Sequence, residues 1–137
     1  MLADTWTPLP ALARITGMRP LYHPRVEEMS VQGVLHALSD ATRVQIFMQL
    51  LASDCSKSCV EFAHITATPL PKSSLSQHFK VLREAGLIHS ERHGVELQNR
   101  ARCDEYGKKF GPLIKEILSS YDKELKAAGK AKRAKRA

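Results

Sequence analysis

Residues 72–86, KSSLSQHFKVLREAG, decide how this chain is read. Leu75, Phe79 and Leu82 recur at the i, i+4, i+7 spacing of one helical face, and Gly86 supplies the residue that ends such a helix. The opposite positions are Lys72, Ser73, Ser76, Gln77, Lys80 and Arg83, short polar or basic side chains with no large apolar group among them. The pattern predicts a helix anchored in a core by one face and presenting a narrow polar face to something else.

Working outward, the TATPLP segment at 66–71 holds two prolines that cannot continue a helix interior and reads as a turn. Before it, Ser58 and Glu61 form an S-x-x-E pattern that predicts a short third helix starting near Cys59. Asp40 is a good N-cap for a second helix, with Val44, Phe47 and Leu51 on its inner face and Ile46 and Leu50 widening the stripe. Val31, Val34, Leu35 and Leu38 predict a first helix over 27–38. After Gly86 the period changes: LIHSER and VELQN are strand-like runs about a hairpin tip at His93-Gly94. A last helix is expected from about Asp104, broken at Gly111-Pro112 and resuming as a stripe of Leu113, Ile114, Ile117, Leu118, Tyr121 and Leu125.

The expected class is therefore mainly α with a small β-hairpin, in the order α-α-α-α-β-β-α of a winged helix-turn-helix. Residues 1–25, with four of the seven prolines, read as an irregular arm, 26–125 as the domain, and 126–137 as a disordered basic tail. Met18 is an alternative start, because nothing before it is needed for a core.

The formal charge of +7 lies mostly in that tail: six basic residues and no acidic one fall in 126–137, leaving 15 basic against 14 acidic elsewhere. The informative excess is local, six basic against three acidic residues over 72–102. A helix with a short polar face fits the DNA major groove, where Ser and Gln reach base edges and Lys neutralises phosphate. A protein-binding face would expose larger apolar groups instead. There is no nucleophile elbow, no phosphate-cradling glycine loop and no H-E-x-x-H, so nothing points to an enzyme.

Three stretches together, LHALSDATRVQIFMQLLA, KSSLSQHFKVLREAGLI and ERHGVELQNRAR, resemble the ArsR/SmtB family of dimeric winged-helix repressors over about 26–121. The family run S-x-x-S-x-H-[LF]-K-x-L-R-E-A-G-L is met by Ser73, Ser76, His78, Phe79, Lys80, Leu82 and Arg83 through Leu87. Asp40-Ala41-Thr42-Arg43 is similar to its D-P-T-R, with Ala41 in the proline slot. The resemblance implies a repressor that binds an inverted-repeat operator in double-stranded DNA. Lys72, Ser73, Ser76 and Gln77 would lie in the major groove, and Arg92, His93 and Gly94 at the wing tip. His78 sits near the inward side and reads either as a groove residue or as a packed, hydrogen-bonding histidine. Glu91 and Glu96 flank the wing tip and would oppose phosphate, and Pro71 stands where a polar cap is usual.

The resemblance also implies a homodimer through the first and last helices, with Val31, Leu35, Ile114, Ile117, Leu118 and Tyr121 at the interface. Relatives bind arsenic, antimony, cadmium or lead through cysteines near the third helix. Here Cys55 and Cys59 form C-x3-C rather than their C-V-C, with Cys103 far along the chain. A thiol at a helix N-terminus beside Lys57 would be activated toward arsenite, another thiophilic ion or an oxidant; small buried cysteines without a sensing role are the other reading. The family's zinc pair on the last helix has no counterpart, since no histidine follows His93. No apolar run reaches the length of a membrane span, and the first ten residues do not resemble a secretory signal. With three thiols and no targeting segment, the expected location is cytoplasmic.

Overall fold

The computed structural model describes residues 21–52, 57–58, 62 and 69–136. A 3₁₀ turn at Val26–Glu28 precedes α1 (Val31–Ala37), whose N-cap Ser30 accepts a 3.0 Å hydrogen bond from Gly33 N. The first helix starts later than its periodicity predicts because Met29 and Ser30 are extended, and Ser30 is the better cap. Asp40 caps α2 (Ala41–Leu51) as expected, its Oδ1 accepting from Thr42 N at 2.8 Å and Arg43 N at 3.1 Å. Val44, Ile46, Phe47 and Leu50 are buried on this helix, while Leu51 is half-buried at its end.

Lys57–Ser58 form a two-residue strand, β1, where a capping box was expected. The rest of the predicted third helix lies outside the described residues, apart from the fully buried Phe62, whose ring meets that of Phe79 edge-on at 5.4 Å. The helix α3 spans Lys72–Glu84, with Leu75, Phe79 and Leu82 buried as their spacing requires.

The end of α3 is set by Gly86, whose φ of +89° is a left-handed conformation that side chains rarely adopt. Gly86 N donates to Arg83 O and Leu87 N to Leu82 O, the paired bonds of a Schellman motif, and Leu82 and Leu87 are both fully buried beside it. That reversal launches β2 (Ile88–His93) straight out of the core. A two-residue connection, Gly94-Val95, returns the chain as β3 (Glu96–Ala101), with His93 paired to Glu96 and Ile88 to Ala101. Among the non-helical positions of this turn only Gly94 has positive φ, the pattern of a type II′ hairpin. With β1 on the far side, the sheet order is β1-β3-β2.

The helix α4 (Cys103–Arg136) runs 34 residues without interruption, about 51 Å at the usual rise. The break expected at Gly111-Pro112 is absent. Tyr106, Phe110 and Ile114 are buried on both sides of Pro112 and fasten the flanking turns to one core, while Pro112 itself is exposed. Where a disordered tail was expected, the helix continues to Arg136. Ala, Lys and Arg are strong helix formers, Lys126 pairs with Asp122 at 2.9 Å, and basic residues in the last turn suit the helix dipole. No helix among the described residues is long and apolar enough to cross a membrane.

Candidate nucleic-acid interface

The face of α3 that the core does not use is open. Lys72, Ser73, Ser76, Gln77 and Lys80 are all exposed, along one side of a helix whose opposite side is sealed by Leu75, Phe79 and Leu82. Pro71 occupies the N-cap of α3 and offers no side-chain acceptor to its first N–H groups. Arg83 departs from the outward expectation. It is half-buried and its Nη1 donates to Ser90 Oγ at 3.2 Å, at the base of the hairpin. Ser90 Oγ in turn donates to Asn99 Oδ1 at 2.6 Å across the β2–β3 pair, and Asn99 is completely buried. This chain of polar contacts fastens the end of α3 to both strands of the wing.

Arg43 performs a similar task at the other end of the motif. Its Nε donates to Ala37 O at 2.8 Å and its Nη2 to His36 O at 3.1 Å, covering the carbonyls that α1 leaves open at its C-terminus. Its Nη1 lies 3.4 Å from His78 Nδ1 on α3. His78 is half-buried and so belongs with the packed, hydrogen-bonding reading rather than with the groove face. The Asp40-to-Arg43 segment thus caps one helix forward and the preceding helix backward.

At the wing tip Arg92, His93 and Gly94 are exposed, and Val95 is fully so. The acidic neighbours are engaged locally: Glu91 Oε1 lies 3.6 Å from His93 Nε2, and Glu96 Oε2 accepts from Gln98 Nε2 at 3.2 Å.

The last residues assigned to the arm are built into the body. Ser90 N, on the outer edge of β2, donates to His23 Nε2 at 3.0 Å, and the His23 ring stacks on His89 with centroids 4.2 Å apart. Pro24 O accepts from the buried Arg102 at 2.9 Å, and Arg102 also forms a two-bond pair with Glu105, both at 3.1 Å. Lys109 Nζ reaches Met29 O at 2.9 Å and Val26 O at 3.2 Å. Burial, helped by Arg83 and Arg102, pushes the His23 imidazole down to about 4. Burial, then His23 and the Arg100 and Arg102 guanidiniums, push His89 down to about 3. Both rings are neutral near pH 7.

Of the cysteines, Cys103 is a free, exposed thiol at the start of α4. Cys55 and Cys59 lie outside the described residues, and among the described residues no three His, Cys, Asp or Glu are grouped to hold a metal. Of the residues expected at a dimer interface, Val31 and Leu35 are exposed at 51% and 48%, whereas Ile114 is sealed inside its own protomer's core at 2%. Ile117, Leu118 and Tyr121 are half-buried against that core. Ile117 and Tyr121 also line an open groove of about 350 Å³ with Leu38, Val44 and Leu113, rimmed by Glu116, Ser120 and Glu124.

Sequence reasoning missed Arg102, the His23–His89 stack and Val95, and it knew Arg43 only through the resemblance. Two of these had a local signal. Asp40 with Arg43, and Arg102 with Glu105, are opposite charges three apart at the start of a helix. The contact between His23 and Ser90 spans 67 residues and had none.

Helices packed on one core, with a two-stranded antiparallel hairpin folded back on the end of α3, make this a winged helix-turn-helix domain. No protein-family model matches the chain. It is 35% identical over 68 residues to the HTH-type transcriptional repressor SmtB of Mycobacterium tuberculosis, a match covering 49% of this chain and 47% of that protein. The chain thus spans about half the length of the curated relatives it matches, and over this stretch it is homologous to SmtB, which bears out the resemblance drawn from its motifs. The fold is shared with a homodimeric winged helix-turn-helix DNA-binding domain from Mycobacterium bovis, a possible ArsR-family regulator, at a TM-score of 0.52 and 22% identity over 69% of this chain and 81% of that one. It is shared too with the crystal structure of a possible transcriptional regulatory protein from the same organism, at 0.51 and 23% over 67% and 90%.

Proposed function

We propose that this chain is a sequence-specific DNA-binding transcriptional repressor of the ArsR/SmtB type, acting as a homodimer on an inverted-repeat operator. The observation that carries the reading is α3: an exposed row of Lys72, Ser73, Ser76, Gln77 and Lys80 on a helix clamped from behind by the core and at its end by the Arg83–Ser90–Asn99 contacts. In this reading Ser73, Ser76 and Gln77 address base edges, and Lys72 and Lys80 address phosphates. Arg92, His93, Gly94 and Val95 meet the backbone or the adjacent minor groove. Arg83 acts from behind, as a positioning residue.

A single helix reads few base pairs, and two copies one helical turn apart give the specificity a repressor needs. The exposed Val31 and Leu35 and the groove at Ile117 and Tyr121 are the apolar surface on which a second copy would pack. Such a repressor works in the cytoplasm, where its thiols stay reduced. Release from DNA by arsenite, another thiophilic ion or an oxidant is the regulatory part of the proposal; the exposure of Cys103 makes at least that thiol reachable.

The deciding experiment selects bound duplexes from a random pool with the reduced protein. A palindromic consensus lost in a Ser73→Ala/Gln77→Ala double variant supports the reading, and no enrichment at low salt overturns it. Adding arsenite or peroxide to the complex tests release. Release that persists unchanged in a Cys55→Ser/Cys59→Ser/Cys103→Ser variant would remove the thiols from the account and leave a regulator governed in another way.

A further inference from the structure

We propose that the C-terminal turns of α4 form a second, sequence-independent phosphate-binding surface that holds the DNA backbone outside the base pairs read by α3. This rests on the DNA-binding reading above and extends it to a surface with no part in base recognition.

Past Glu124 the helix leaves the described body of the domain. Residues 125–136 continue it for about 18 Å, and no large apolar side chain follows Leu125. No acidic residue follows Glu124, and the six basic residues of these turns are all exposed. Lys126 is paired with Asp122, but among the described residues no ion pair engages Lys130, Lys132, Arg133, Lys135 or Arg136. Helical geometry sets them in rows: Lys126, Lys130 and Arg133 at i, i+4, i+7, with Lys132 and Arg136 at i, i+4 beside them. Because α4 is continuous with the packed turns at Tyr106, Phe110 and Ile114, these charges are carried in a fixed direction rather than on a loose tether.

The chemistry selects among anionic partners. An anionic lipid surface would call for bulky apolar anchors on the side away from these rows, and that side holds only Ala127, Ala128, Ala131, Ala134 and Lys135. A polyphosphate backbone requires closely spaced cations and nothing else, and neutralising it releases condensed counterions. The consequence is affinity without sequence information, which raises the local concentration of α3 at DNA.

The test uses the full chain and a long mixed-sequence duplex, with affinity measured by fluorescence anisotropy over a series of salt concentrations. The variant combines Lys130→Gln, Lys132→Gln, Arg133→Gln, Lys135→Gln and Arg136→Gln, since glutamine keeps the helix propensity and removes only charge. The slope of log affinity against log salt should become shallower by about 2 to 4, and affinity at low salt should fall by about tenfold or more. The preference for the selected operator over the mixed duplex should stay unchanged. A smaller variant, Lys130→Gln/Arg133→Gln, should give an intermediate slope, which guards against a global effect of five changes. Wild-type slope and affinity in both variants would overturn the proposal, as would tighter binding to phosphatidylserine vesicles than to duplex at equal phosphate, lost in the variant while DNA binding is kept. If the wild-type chain binds no duplex at any salt, the DNA-binding reading itself falls, a result distinct from either.

Discussion

Gly86 shows how much one position can decide. A Cβ there would come within 2.6 Å of Met29 Cγ, and its φ of +89° is strained for any residue with a side chain. Gly86→Ala should cost about 1–3 kcal/mol in urea unfolding, since backbone strain and displacement of the buried Met29 add. Glu105→Ala should cost about 2 kcal/mol or more, because it strips the carboxylate from an Arg102 side chain that is only 5% exposed; removal of an exposed pair such as Lys126–Asp122 should scarcely register. At this scale the sequence was legible where a residue's role is local. Asp40, Gly86 and the Leu75–Phe79–Leu82 face follow from caps and periodicity. Arg83 was misread as outward because helical spacing places it at the margin of the polar face, and only the position of Ser90 draws it in.

At the scale of elements, α3 and its wing behave as one piece. Lys80→Ala should weaken binding to all duplexes alike and reduce the salt slope by about 1, whereas Gln77→Ala should erode discrimination at one base pair by about 1–3 kcal/mol. Arg83→Ala should loosen the wing, read as faster amide exchange in β2 and β3 with the α3 contacts otherwise intact. The paired histidines give the domain a pH response. Their folded values of about 4 and 3 lie below the 6.5 of a free imidazole, so between those limits the unfolded chain binds more protons. Stability should be full above about pH 6.5 and fall as pH drops, by up to about 1.4 kcal/mol per pH unit for each histidine that the unfolded chain protonates first. Urea melts of wild type and His23→Gln across this range check it; the variant should lose part of the slope. Elements with several turns of pattern were readable, while the two-residue β1 carries no period and exists only because β3 lies beside it. Pro112 argued for a break on local grounds and lost to burial on both sides.

For the whole molecule, the order of helices and hairpin was visible in the changes of period, but the way the arm is fastened was not. His23, Pro24 and Val26 are held by Ser90, Arg102 and Lys109, contacts between segments 67 to 83 residues apart that no local rule anticipates. The proposed dimer is a property of this scale too. Leu35→Glu or Ile117→Glu should shift the sedimenting species from dimer to monomer and abolish binding to a full palindrome, with Leu35→Glu the milder for folding because its site is already exposed.

The unbroken α4 also makes the molecule a lever. From Ile114, the last side chain sealed in the core, to Arg136 is about 33 Å of rigid rod. A rotation too small to disturb packing around Ile114 is multiplied into a displacement of several ångströms at the basic tip. Whatever shifts the seat of that rod in the core therefore moves the tip farther than it moves any part of the domain, and the far end of α4 is where a spin label or fluorophore would report a change of state first.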